Sequence, residues 1–283
     1  MSKTANKFTK RMVNDLQGYS NEYEFLKSIC INRFSWNTDL ITCNSEWIEK
    51  QLYRLGSIAL VKTDVFMFTN YVPIKFNSYT EPTQIKIISP FTKFNGKLLN
   101  ENDFVIIYNN KLHKSSISVI QYYSQKLTEI ERLIYINIQH MKIPYMVNVS
   151  EAQKKSLDVV MKKIDKGEPF ISSYNDLISS NNFQLLHTEV PNRTLDMYEL
   201  KKEVYSEFLT VMGINNMIVR KKERMVKDEI NSNNEQIAVN RNNYLMPRKE
   251  AIERINEKFK LNFDVSFMLK EVDSNEQIHD NTE

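Results

Sequence analysis

Residues 115–142 run without a glycine or proline, and Ile120, Leu127, Ile130, Ile134, Ile138 and Met141 recur along them at spacings of three, four or seven. That period predicts one amphipathic α-helix. At the rise of an α-helix it is roughly 42 Å long. A helix of this length lines something extended, such as a bundle, a stalk or a ring wall. Pro144 ends it. The rest of the chain must be organised around this rod.

Before the rod, SIALVKTD, VFMFTNY, TQIKIIS and DFVIIYNN between Ser57 and Asn110 are short and rich in β-branched and aromatic residues, with Pro73, Pro82, Pro90 and Asn-rich turns among them. They read as strands of a small β unit. Helices are expected at 22–35, with Phe25, Ile29 and Cys30 on one side, and at 45–55. The second is capped by Asn44 or Ser45, carries Trp47, Ile48, Leu52 and Leu55 as its apolar face, and stops at Gly56. Residues 1–21 read as an arm or the start of a helix. After the rod, IPYMVNV, EPFISS and NFQLLHTEV read as strands and 150–165 as a short helix. A further helix runs from Pro191 to Gly213, with proline opening and glycine closing it. Residues 215–243 are charged in their first half and Asn-rich in their second, without an apolar stripe, and read as a loop. A helix at 248–260 and a strand at 261–269 follow. Residues 271–283 hold five acidic residues and no Lys or Arg, and read as an acidic tail. The fold class is mixed α+β.

Composition excludes several functions. With 283 residues and 41% hydrophobic content, the chain can bury a real core. Five glycines, at 18, 56, 96, 167 and 213, form neither G-x-G-x-x-G nor a P-loop. Cys30 and Cys43 read as free thiols, and four scattered histidines offer no metal spacing, so no metal or cofactor is expected. The first residues lack the apolar core of a secretory signal, and no run is long enough to span a membrane. A net charge of +3 excludes a histone-like binder but leaves local patches open.

One such patch is Arg220, Lys221, Lys222, Arg224 and Lys227, five positive charges against Glu223 alone. No aromatic lies between 209 and 243, so a nucleic acid here is held by its backbone, not by its bases. A solvated charged loop is the plain alternative. Glu223, Asp228 and Glu229 invite a second alternative, a metal-dependent nucleic-acid-processing enzyme. No nucleophile motif is present, and Glu129 and Glu131 do not share a helix face, so no enzyme is expected. In the 191–213 helix Arg193, Lys201 and Lys202 face Asp196, Glu199, Glu203 and Glu207, a net of −1. That suits a wall along which DNA slides better than one that grips it.

KKERMVKDEINSNNEQI (221–237) and PRKEAIERINEKFKLNFDV (247–265) closely resemble the upper collar, or portal, protein of small protein-primed tailed phages, the head–tail connector. FSW (34–36), WIEKQLYRLG (47–56) and DFVIIYNN (103–110) fit in the same order, so the resemblance covers most of 30–265. It implies a portal-type subunit assembled as a dodecameric ring at one vertex of the virion, put together in the host cytoplasm. Double-stranded DNA would be packaged and ejected through its channel. The implied partners are the capsid protein, a packaging ATPase and a lower collar or tail protein. On that map 1–114 and 244–283 are wing, 115–142 and 188–214 are stem, 143–187 is clip and 215–243 is the channel loop.

The resemblance makes Arg220, Lys221, Lys222, Arg224 and Lys227 the backbone-contacting residues of that loop. A ring of twelve turns their net +4 into about +48 in one belt. Lys201, Lys202 and His187 are the candidate channel-facing residues of the stem, although His187 and Asp196 stand where the family carries further lysines. Lys3, Lys7, Lys10 and Arg11 form a candidate partner arm. They are sparser than the family's basic arm, so the resemblance does not carry its packaging RNA over to this chain. An oligomeric scaffold that never touches DNA is the remaining alternative.

Overall fold

The computed structural model describes residues 3–38, 41, 43–140, 145–147, 183–185, 193–216 and 227–268. Outside them lie the expected helix at 150–165, the EPFISS strand, the acidic tail, Met141, Pro144 and Pro191. The chain divides into two compact units, one of residues 1–129 and 201–283, the other of residues 130–200.

In the first unit the N-terminal segment is helix throughout, α1 (Lys3–Ile31). It stops earlier than the expected 35. Phe34 and Trp36 point inward from β1 (Phe34–Asn37), which pairs antiparallel with β9 (Asp264–Phe267), Phe34 opposite Phe267. On α1, Leu26 and Cys30 are buried while Phe25 is half exposed.

Helix α2 (Ser45–Leu55) has the expected ends. Asn44 Oδ1 accepts the Glu46 amide, and Gly56 closes the helix at φ 83°. A Cβ at Gly56 would also meet the Lys114 carbonyl carbon and Ser115 nitrogen at 2.8 Å. The buried face differs from the expected one. It is Ile48, Glu49, Leu52 and Tyr53, and Leu55 is exposed. A carboxylate therefore sits where an apolar stripe was expected.

Five antiparallel strands follow: β2 (Ser57–Lys62), β3 (Phe66–Phe76), β4 (Pro82–Ile88), β5 (Leu98–Asn100) and β6 (Phe104–Tyr108), in the spatial order β5-β4-β3-β2-β6. β5 is absent from the sequence reading because its three residues carry no period. In β2, Ile58, Ala59, Leu60 and Val61 are all buried, so both faces of that strand are covered. Ala59 and Val61 join Ile85, Ile87, Leu99, Phe104 and Ile106 in one cluster.

The rod is α3 (Ile117–His140), and it begins in this unit, where Ile120, Tyr123 and Leu127 are buried. Tyr123 packs edge-on against Phe208 and donates to Glu207 Oε1 at 2.9 Å.

The largest departure lies after Gly213. α5 (Lys227–Phe259) is one helix of 33 residues, so 227–243 is helical rather than loop. Asparagine is a poor helix former, which hid it. An apolar stripe exists nonetheless, because Ile237, Tyr244, Ala251 and Ile255 are all buried. Pro247 lies inside this helix and cannot donate to the Asn243 carbonyl. The Lys111 amide takes that place at 3.1 Å, so the freed acceptor is satisfied from outside the helix.

In the second unit the end of α3 keeps Ile130, Ile134 and Asn137 buried, with Ile138 exposed. β7 (Tyr145–Val147) pairs antiparallel with β8 (Phe183–Leu185), within the expected strands. α4 (Thr194–Val211) starts here, with Thr194 Oγ1 bonded to Asn137 Oδ1 at 2.9 Å, and continues into the first unit.

Candidate functional site

In sequence the basic segment lies between α4 and α5, and the described residues that flank it are densely bonded. Gly213 has φ 71°, and a Cβ there would come within 2.4 Å of the Arg241 backbone. Only glycine lets α4 end this close to α5. The last carbonyls of α4 and of the turn after it lack their α-helical amides, although the Gly213 amide still reaches Thr210 O at 3.0 Å. Asn240 Nδ2 donates to Thr210 O at 2.9 Å, Arg33 Nη1 to Met212 O at 2.7 Å and Arg241 Nε to Gly213 O at 3.0 Å. The two guanidinium groups also answer the negative end of the helix dipole.

Beyond Gly213, Asn216 Nδ2 donates to Ser206 O, Ser206 Oγ and Thr210 Oγ1 at 2.6–2.8 Å. Asn233 Nδ2 then donates to Asn216 Oδ1 at 3.0 Å. Asn216, after α4, and Asn233, in the second turn of α5, are thus bridged directly.

Arg33 ties these flanking residues to the core. It is buried, also donates to Cys30 O, and lies over the Tyr244 ring at 4.2 Å. A second buried cation, Arg248, lies 4.3 Å from the Phe34 ring, which Arg33 also approaches at 5.3 Å. Arg248 is fully buried, and its five N–H bonds all have acceptors. Nε and Nη2 grip Glu49 Oε1 and Oε2, both at 2.8 Å. Nη1 reaches Asn109 O and Tyr244 O, and Nη2 also reaches Asn109 Oδ1. Trp36 Nε1 adds a third bond to Glu49, at 2.9 Å. Asn109 in turn donates to Lys114 O and Ser116 Oγ.

FSW, WIEKQLYRLG, DFVIIYNN and PRKEAIERINEKFK each supply one member of this cluster: Trp36, Glu49, Asn109 and Arg248. Segments that look unrelated along the chain carry a single buried polar knot.

The sequence-derived site residues are spread over several places. Arg220, Lys221, Lys222, Arg224 and His187 lie outside the described residues. Lys227 is the first residue of α5, and Lys3, Lys7, Lys10 and Arg11 are in α1. Lys201 is half buried and bonded to Glu22 of α1 at 3.2 Å, whereas Lys202 is exposed on α4. Asp228 and Glu229 belong to α5, and among the described residues no group of three His, Cys, Asp or Glu is placed to hold a metal.

Sequence reasoning missed Arg33, Glu49, Asn216, Asn233, Asn240, Arg241 and Arg248. A signal existed for one of them: Arg248 shares a helical face with Ala251, Ile252 and Ile255. Among the described residues no helix is long and apolar enough to cross a membrane.

Comparison with known proteins bears on this arrangement. The Phage Connector (GP10) family matches residues 2–272. A chain in the solved portal and tail of native bacteriophage P68 superposes with a TM-score of 0.58 at 16% identity, covering 96% of this chain and 93% of that one. That likeness speaks to the fold. An HK97-family phage portal protein from Corynebacterium diphtheriae is similar at a TM-score of 0.41 and 10% identity, over 88% of this chain and 91% of that one, too loosely to carry weight. With a match over nearly its whole length and a fold shared with a chain of a phage portal and tail, this chain belongs to the phage connector family.

Proposed function

We propose that this connector assembles as a closed ring, a dodecamer in keeping with the family resemblance, around a channel for double-stranded DNA. The family match over residues 2–272 carries the reading. The ring would sit at the portal vertex after assembly in the host cytoplasm. It would touch capsid protein on its outside, dock a packaging ATPase while the head fills, and join a lower collar or tail protein afterwards. The family is one of structural proteins, and the nuclease reading of Glu223, Asp228 and Glu229 has no support from it.

Arg220, Lys221, Lys222, Arg224 and Lys227 are the proposed DNA-backbone contacts, with Lys202 as a channel-facing cation of the stem. The flanking residues support this reading. Gly213, Asn216 and Asn233 hold together the described residues on either side of the segment in sequence, and twelve copies would bring its charge into one belt. Contacts of this kind are electrostatic and indifferent to base sequence.

The test is filling of capsids that carry a connector with the five cations replaced by Gln. Rings and filling should survive, because the ATPase supplies the force, while the DNA retained afterwards should fall. Capsids that fill and hold DNA like wild type would reduce the segment to a passive connection.

A further inference from the structure

We propose that neighbouring subunits join through the outward face of the β3-β4-β5 sheet in one copy and the outward stripe of α5 in the next. The proposal rests on the ring reading above and names the two surfaces that would build it.

The sheet face follows from the register. Ile85, Ile87 and Leu99 point into the core, so Lys86, Ile88 and Leu98 point out. Val72 lies opposite Lys86, Lys86 opposite Leu98, and Lys75 opposite Gln84 on the same face. Val72, Ile88 and Leu98 are 47, 39 and 53% exposed and are grouped around Lys86 on that face. Both charges on it, Lys75 and Lys86, are positive. A patch of this kind on a folded unit marks a contact surface.

The partner surface is on α5. Ile237, Tyr244, Arg248, Ala251 and Ile255 face the interior. The opposite stripe, at spacings of three and four, includes Glu235, Val239, Met246, Glu250, Glu253 and Glu257, all exposed. It therefore mixes apolar side chains with four carboxylates and one exposed cation, Lys249, and stays negative. The nearby Arg254 and Lys258 turn back to the sheet, donating to Ile106 O and Phe104 O. The two faces match in both terms: apolar with apolar, lysine with glutamate.

Their placement suits a ring. α5 packs on β6, at one edge of the sheet, while β3, β4 and β5 form the other side. Two different, complementary surfaces on one unit give a head-to-tail contact, and such a contact builds a ring where the rotation from copy to copy closes. A second copy is thus the favoured occupant over a separate capsid partner.

The experiment uses the full-length protein and charge reversal: Lys75→Glu with Lys86→Glu in one variant, Glu250→Lys with Glu253→Lys and Glu257→Lys in another. All five side chains are exposed, so the fold should persist, which circular dichroism and thermal melting check. Each variant should need about tenfold more protein to form rings than wild type, because like charges meet across the contact. Carrying both sets in one chain should restore assembly. So should mixing the two variants, since each then presents an opposite charge to the other. If wild type forms no ring, the ring reading fails together with this one. If wild type and both variants assemble alike, or if neither combination restores assembly, the ring stands and these surfaces are not its contact. Capture of capsid protein by the sheet face of assembled rings would equally assign that face elsewhere.

Discussion

Two polar clusters lie at opposite ends of one chain of contacts, and they are built differently. Around Arg248 the charges are shut away from water, every donor is met, the acceptors come from α2, the residue after β6 and α5, and β1 adds the Trp36 donor. Around Asn216 the bonds are between neutral amides, hydroxyls and carbonyls, several of them half exposed. The first arrangement cannot be altered piecemeal, because removing one partner leaves a buried charge alone. The second can lose a bond and find water instead. A connector gains from that division: a fixed frame in the sheet-bearing unit, and adjustable bonding among the residues that flank, in sequence, the segment proposed to meet DNA.

The sharpest way to break the comparison is Glu49→Ala, which strands Arg248. It should cost about 3–5 kcal/mol in urea unfolding. Replacing both partners, Glu49→Leu with Arg248→Met, should recover much of that loss. If Glu49→Ala unfolds like wild type, the knot is not the frame.

Gly213→Ala comes next. It adds a Cβ against the Arg241 backbone at a positive φ and should cost about 2 kcal/mol or more. Asn240→Ala, which leaves Thr210 O with the Gly213 amide alone, should cost about 1 kcal/mol. The same unfolding curves check both, and a larger loss for Asn240 than for Gly213 would reverse the proposed order. Smallest is the neutralised basic segment, expected within about 0.5 kcal/mol of wild type. Its effect should appear in DNA binding instead. The wild-type rings should lose affinity steeply with added salt and the variant should show a shallower slope.

Much of the fold was legible where one physical signal dominated. The period of 115–142, the Asn44 and Gly56 ends of α2 and the β-branched runs of β2, β3, β4 and β6 each point one way. The long α5 was not legible, because its Asn-rich half argues against helix on propensity. Its stripe from Ile237 to Ile255 shows only over the full length, and Pro247 is tolerated only because Lys111, remote in sequence, supplies a donor. The buried knot was hidden for a related reason. Glu49 and Arg248 read as surface charges until folding brings 199 residues of separation to a hydrogen bond. The family itself was visible in short segments, and the structure explains why those segments go together: four of them meet at Arg248.

The central claim is that this phage connector works as a ring. Top views of the purified full-length protein by electron microscopy test it directly. The account predicts closed rings with an open centre, twelve subunits around. A homogeneous monomer or dimer at every protein concentration would contradict it.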